Sequence, residues 1–239
     1  MISAVLFDLD DTLFDHRGCA REALAAVQQG HDGLRAMPFE ALERAHARLL
    51  ERLHGDVMMG RMPLDTARLE RFRLLLAVAG VTGSEDVVAG IAGTYRDAYR
   101  ASRRVVAGAA ALLTAVGERA RIGVVSNNLL EEQRDKLRTC GLDEFVDALV
   151  VSEEAGVAKP DAAIFQIALD RLQSPAGESV MVGDSWAADV AGARAAGIRA
   201  IWFNPAGASA PEGERPVREL RAFEPVEAAV RIIFDTTRD

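Results

Sequence analysis

Residues 1–15 read MISAVLFDLDDTLFD, a short apolar run (2–7) that closes on a cluster of acids. A run of this length with no polar alternation suits a parallel strand buried on both faces. It has no basic leader and ends in carboxylates, so it is expected to be a strand and not a secretory signal. Similar runs recur only much later: RIGVVS at 121–126, ALVVS at 148–152, SVMVG at 179–183 and RAIWF at 199–203. Helical patterns fill the intervals at about 107–119, 129–140, 161–173 and 186–196, with Gly141 and Gly197 placed as C-caps. Strand alternating with helix predicts an α/β fold with a doubly wound, Rossmann-like parallel sheet.

The interval between the first and second strands is different. Residues 15–103 are rich in Ala, Leu, Arg and Glu at helical spacing. Leu42, Ala45, Leu49 and Leu53 form one apolar stripe, and Leu69, Phe72, Leu75, Leu76 and Ala79 form another. A crossover needs far fewer residues, so this segment is expected to be a helical bundle inserted into the α/β domain, leaving 1–14 and 104–239 as the core. The stretch from Asn204 to Arg218 reads as a loop, and a terminal helix is expected from about Val226.

The 239 residues are 49% hydrophobic, enough for a sizeable core, and carry a formal net charge of -8. An acidic surface argues against nucleic acid as a partner. No run is long and apolar enough for a transmembrane helix. The two cysteines, Cys19 and Cys140, lack metal-site spacing and suit reduced thiols in a cytoplasmic protein. The four histidines all fall in the inserted segment, where surface or packing roles are the ordinary expectation. Base rates point to a monomer or homodimer.

In open parallel sheets ligands bind beyond the carboxyl ends of the strands. Asp8 and Asp10 follow the first strand, Ser126 ends the second, Lys159 follows the third, and Asp184 follows the fourth with Asp189 one turn later. Carboxylates crowded into one cleft repel each other. A hard divalent cation relieves this, and an all-oxygen donor set selects Mg²⁺ over zinc. The cation also lets an acidic protein hold a phosphate. Asp8 suits a nucleophile that accepts the phosphoryl group, and Asp10 suits the acid that protonates the leaving alcohol. The Ser126 hydroxyl and Lys159 ammonium suit the non-bridging oxygens, with main-chain N–H groups near Leu9, Asn127 and Asn128 as further donors. Asp184 also suits an N-cap on the helix that begins near Trp186.

Taken together, DLDDT at 8–12, the strand IGVVS with Asn127 after it, Lys159-Pro160, and GDSWAAD at 183–189 resemble the haloacid dehalogenase-like hydrolase superfamily. Order and spacing agree along nearly the whole chain. The resemblance implies Asp8 as nucleophile and metal ligand, and Asp10 as general acid/base whose main-chain carbonyl also binds the metal. It further implies Thr12 as a support of the motif loop, Ser126, Asn127 and Lys159 at the phosphoryl group, and Asp184 and Asp189 at Mg²⁺. The inserted segment looks like the family's cap, which selects the leaving group; Arg61 and Met62 are candidates to line it. The stretches 150–169 and 60–72 are similar to the pyrimidine 5'-nucleotidase and N-acylneuraminate-9-phosphatase subgroup.

The expected activity is hydrolysis of a small phosphorylated metabolite. A 2-haloacid dehalogenase needs neither the metal nor an acid at Asp10. A hexose-phosphate mutase and a non-catalytic binding protein on the same scaffold remain open alternatives.

Overall fold

A computed structural model describes residues 1–214 and 217–235. Within these residues the chain forms two compact units, one built from Met1–Asp15 with the segment that begins at Arg104, the other from His16–Arg103.

The first unit opens with β1 (Ala4–Phe7). After the helical unit it continues with α6 (Ala109–Gly117), β2 (Arg121–Ser126), α7 (Leu130–Thr139), β3 (Ala148–Val151), a one-turn α8 (Ser152–Ala155) and α9 (Ala162–Leu172). Then follow β4 (Ser179–Gly183), a π-helical turn (Trp186–Ala191), α10 (Gly192–Ala195), β5 (Arg199–Phe203), β6 (Arg218–Leu220) and α11 (Val226–Phe234). The strands form one six-stranded sheet, all parallel, in the order β3-β2-β1-β4-β5-β6.

β1 lies in the middle because it has an apolar residue at every position and two layers to bury them in. Ala4 and Leu6 join Val125, Ile164, Phe165, Leu169 and Met181 on one face. Val5 and Phe7 are equally buried on the other. Phe7 pairs in register with Val124 of β2 and Val182 of β4, so the next residue emerges between two strand ends. This is the point where the strand order reverses, since β1 leads to β2 on one side and to β4 on the other.

Gly141 and Gly197 have φ of +64° and +74°, the left-handed conformation expected of helix-ending glycines. The expected loop over 204–218 needs correction at its end. Arg218 begins β6, which pairs with β5, and the stretch was too short and too charged to show strand alternation. Residues 215–216 of that loop lie outside the described residues. The expected cap at Asp184 is also corrected: Ser185 takes the role, its hydroxyl accepting from Ala188 N at 3.2 Å. That leaves the Asp184 carboxylate for other work.

At its boundary the first unit joins its two chain segments in a short antiparallel bridge between Phe14 and Val105. Arg104 Nε donates to Asp15 Oδ2 at 2.7 Å, and Val106 N donates to Leu13 O at 2.9 Å.

The second unit is all helical: α1 (His16–Gly30), a short α2 (Asp32–Arg35), α3 (Phe39–Met58), α4 (Leu64–Val78) and α5 (Glu85–Ala101). Its own core gathers Leu24, Val27, Leu42, Phe72, Leu75, Leu76, Val88 and Ile91. Most of both expected stripes is inside, but Leu69 stays exposed because it sits at the edge of the α4 stripe. Cys19 is buried, Cys140 is partly exposed, and neither forms a disulfide. Among the described residues no helix is long and apolar enough to cross a membrane.

Candidate active site

The site grows from the end of β1. Asp8 N still donates to Val182 O at 3.0 Å, so the residue is fixed as a last strand position. The chain then turns tightly. Asp11 adopts φ +64°, a conformation Asp tolerates better than most residues, and Leu13 N and Phe14 N both donate to Leu9 O, at 3.0 and 2.9 Å. The turn brings Thr12 to the base of the cleft, where its hydroxyl accepts from Asp184 N at 3.1 Å. Trp202 Nε1 donates to Asp184 O at 2.8 Å, so that peptide is held on both sides.

One oxygen from each of Asp8, Asp184 and Asp189 lies within 4.8 Å of the others, a set that could hold a metal ion. Gly183 makes the arrangement possible, because a Cβ there would collide with the Asp189 carboxylate. Lys159 reaches the same point. Its Nζ donates to Asp8 Oδ1 at 2.6 Å, to Asp189 Oδ1 at 2.7 Å and to Val125 O at 2.7 Å, which uses all three ammonium protons. Asp189 Oδ2 accepts from Ser185 N at 2.9 Å.

The electrostatics follow from this crowding. Burial, with repulsion from Asp189 and Asp184, holds the Asp8 carboxyl well above the usual range against the pull of Lys159. Burial opposes the charge on Lys159, but Asp189 and Asp8 outweigh it and hold the ammonium above its ordinary pKa. One ammonium is paired with two of the three clustered carboxylates, and the donor set of hard oxygens fits a divalent cation such as Mg²⁺.

Asp10 sits in a second network. Lys136 Nζ donates to its Oδ1 at 2.6 Å and its Oδ2 at 2.8 Å. Gln133 Nε2 donates to Asp10 Oδ2 at 2.9 Å and to Ser126 Oγ at 2.6 Å, and Asn128 Nδ2 reaches Asp10 Oδ2 at 3.2 Å. Ser126 is thereby tied to Asp10 through one buried amide. Asn127 bonds to the main chain of Lys159 in both directions: Nδ2 donates to Lys159 O at 2.9 Å and Oδ1 accepts from Lys159 N at 2.8 Å. Its side chain thus sets the Lys159 loop. Arg61 and Met62 belong to the other unit, between α3 and α4, where Arg61 is paired with Asp56 at 2.8 Å.

Sequence reasoning missed Lys136 and Gln133, and it named Asn128 for its main chain but not for the side-chain contact to Asp10. Gln133 and Lys136 are 0% and 4% exposed on α7, one turn apart. A signal was available, since both occupy the same helix face as the buried Leu137. Long polar side chains on a buried face need partners.

The sequence profile of the haloacid dehalogenase-like hydrolases matches residues 2–197. Ribulose-1,5-bisphosphate 5-phosphatase of Halopiger xanaduensis is 33% identical over 215 residues, 86% of each chain. The chain belongs to the haloacid dehalogenase-like hydrolase family. Another relative in that family, pyrimidine 5'-nucleotidase YjjG of Escherichia coli, is 37% identical over 121 residues, covering 50% of this chain and 54% of the relative. Among solved structures, the HAD-hydrolase YfnB of Bacillus subtilis, bound to magnesium, superimposes with TM-score 0.74 at 25% identity over 97% of this chain and 99% of that one. The family's six-stranded parallel architecture is the one found here.

Proposed function

We propose that this enzyme is a magnesium-dependent phosphomonoester hydrolase that acts on a small phosphorylated metabolite through an aspartyl-phosphate at Asp8. The observation that carries the reading is the convergence of the Asp8, Asp184 and Asp189 carboxylates, two of which, Asp8 and Asp189, are paired with the buried Lys159. The family relatives named for ribulose bisphosphate and pyrimidine nucleotides support the substrate class.

In this reading an Asp8 oxygen attacks phosphorus and the bond to the leaving oxygen breaks. Asp10 gives its proton to that oxygen, so a neutral alcohol departs. Asp10, now a carboxylate, takes a proton from water; the hydroxide oxygen bonds to phosphorus, the acyl-phosphate bond breaks, and Asp8 is restored. Lys159 holds Asp8 in line and balances its charge. The Ser126 hydroxyl accepts from Gln133 and keeps its own proton for a phosphoryl oxygen. The main chain of Asn127 is the further donor in this scheme.

Asp8, Asp184 and the main-chain carbonyl of Asp10 are the proposed ligands, and bound Mg²⁺ supplies charge neutralisation for the phosphoryl oxygens. Both Asp189 oxygens already accept hydrogen bonds. That favours Asp189 as a group that orients the other ligands. The His16–Arg103 unit is the proposed cap, with Arg61 and Met62 as candidate lining residues.

The test is phosphate release from a panel of phosphomonoesters, including an aryl phosphate, with Mg²⁺ and with EDTA. Release that needs Mg²⁺ and vanishes in Asp8→Asn is expected. Halide release from 2-haloacids without phosphate release would replace this reading with the dehalogenase.

A further inference from the structure

Helix α7 carries a buried amide whose two N–H groups are both spent on residues of the site. Gln133 is fully withdrawn from solvent. Its Nε2 donates to Ser126 Oγ at 2.6 Å and to Asp10 Oδ2 at 2.9 Å. The three residues come from three separate places in the chain: the turn after β1, the end of β2 and the first turn of α7. All belong to the first unit. The Asp10 side chain stays 24% exposed, so the group held by this amide is still open to a substrate.

An amide buried for stability alone uses both of its ends, because an unpaired buried carbonyl keeps the cost of leaving water. Gln133 uses one end only: its Oε1 is buried with no hydrogen-bond partner. Turning the amide over would set its oxygen against Asp10 Oδ2, which already accepts from Lys136 at 2.8 Å and from Asn128 at 3.2 Å. Two acceptors would then face each other, so Asp10 fixes which way the amide points. Gln133 therefore meets Ser126 as a donor. A serine hydroxyl has a single proton, and with its oxygen accepting from Gln133 that proton is left for another acceptor.

We propose that Gln133 is a positioning residue that locks the acid/base Asp10 and the phosphoryl-binding Ser126 into one geometry. Proton delivery to the leaving group and grip on the phosphoryl group then depend on the same amide. The inference rests on the hydrolase reading above and adds a residue that acts only through its two neighbours. In the first step an Asp8 oxygen bonds to phosphorus, the ester bond breaks, and the Asp10 proton goes to the departing oxygen. An alkyl alcohol needs that proton to leave, whereas a nitrophenol departs as its stable anion without it. A small misplacement of Asp10 therefore slows alkyl esters and spares nitrophenyl esters. A glutamine that merely packed α7 would affect both alike.

The test compares full-length wild type, Gln133→Met and Gln133→Glu, with Mg²⁺, on phosphomonoesters graded from alkyl alcohols to nitrophenols. The quantity read is kcat/KM, which covers the steps up to loss of the leaving group. Met keeps the length of the side chain without its donors; Glu keeps the shape and puts oxygen where the N–H groups stood. Q133M should lower kcat/KM about ten- to hundredfold more for alkyl esters than for nitrophenyl esters. It should also weaken inhibition by orthophosphate, whichever ester is used. Q133E should recover neither property. In Asp10→Asn the acid is already gone, so adding Q133M should leave the alkyl-to-nitrophenyl ratio within about twofold. Equal loss for all esters, unchanged orthophosphate inhibition, or a ratio shift that persists in full in Asp10→Asn overturns the inference. Wild type that cleaves no ester overturns the hydrolase reading and the inference with it; wild-type turnover with an unmoved ratio in Q133M overturns the inference alone. Should Q133M melt below assay temperature, Gln133→Asn, which draws both N–H groups back by one methylene, carries the comparison and should shift the ratio in the same direction.

Discussion

Replacing Lys159 with Met tests the charge balance of the site directly. Lys159 is 5% exposed and its ammonium donates to Asp8, Asp189 and Val125 O within 2.7 Å. Met fills most of its volume, so little of the effect is a cavity. What remains is two buried carboxylates, side chains 10% and 1% exposed, with no cation between them. Removing one partner of a buried ion pair costs about 3–5 kcal/mol, a large part of the roughly 5–15 kcal/mol that holds a typical domain. The sign with pH follows from Asp8. Its folded pKa already stands above 3.8, and Lys159 supplies the only effects that lower it. Without Lys159 the folded carboxyl binds its proton still more tightly than the unfolded one. The stability it contributes is then present at low pH and lost as pH rises through the folded pKa. The deficit of Lys159→Met in EDTA should therefore grow as pH rises above 3.8, the ordinary carboxyl value. Mg²⁺ should recover part of it, because a cation that binds only the folded state stabilises by mass action. Urea unfolding with and without Mg²⁺ at several pH values measures all three effects. A deficit below about 1 kcal/mol, or one indifferent to both pH and Mg²⁺, would refute the view that Lys159 neutralises this cluster.

Three further outcomes are expected. Lys136→Met should lower kcat and kcat/KM together by about ten- to a hundredfold, since under the proposed mechanism it disturbs the group that moves the proton; steady-state kinetics decide, and a pure KM effect would contradict it. Gly183→Ala forces the Asp189 carboxylate from its place, with an expected loss of about 1–3 kcal/mol and a higher Mg²⁺ requirement for phosphate release. His46, neutral when folded, has its pKa depressed below 6.5 by burial. The unfolded state gains a proton there first, so stability should fall below pH 6.5 by at most about 1.4 kcal/mol per pH unit. His46→Leu should flatten that slope in thermal melts.

The sequence alone indicated the order of most elements and which polar residues follow the strands, although the short β6 escaped it. Short apolar runs such as AVLF, bounded by polar residues, suit a sheet interior withdrawn from water, and acids placed just after them emerge at its carboxyl edge. Asp8, Ser126, Lys159 and Asp184 were legible for that reason. The helical patterning of 15–103 likewise led to the expectation of an inserted bundle there, and His16–Arg103 form a compact unit. Sidedness within helices was not legible. Gln133 and Lys136 look like ordinary surface residues of a charged helix until α7 is seated beside Asp10. Arg61 and Arg71 are equivalent in sequence, yet one is paired with Asp56 and the other is stacked between rings with no carboxylate beside it. The N-cap expected at Asp184 falls one residue later, on Ser185, because a hydroxyl and a carboxylate compete for the same N–H groups and only the π-helical turn decides between them. Local chemistry sets which side chains can act; which of them meet is a property of packing between residues more than a hundred positions apart, and only the folded chain contains it.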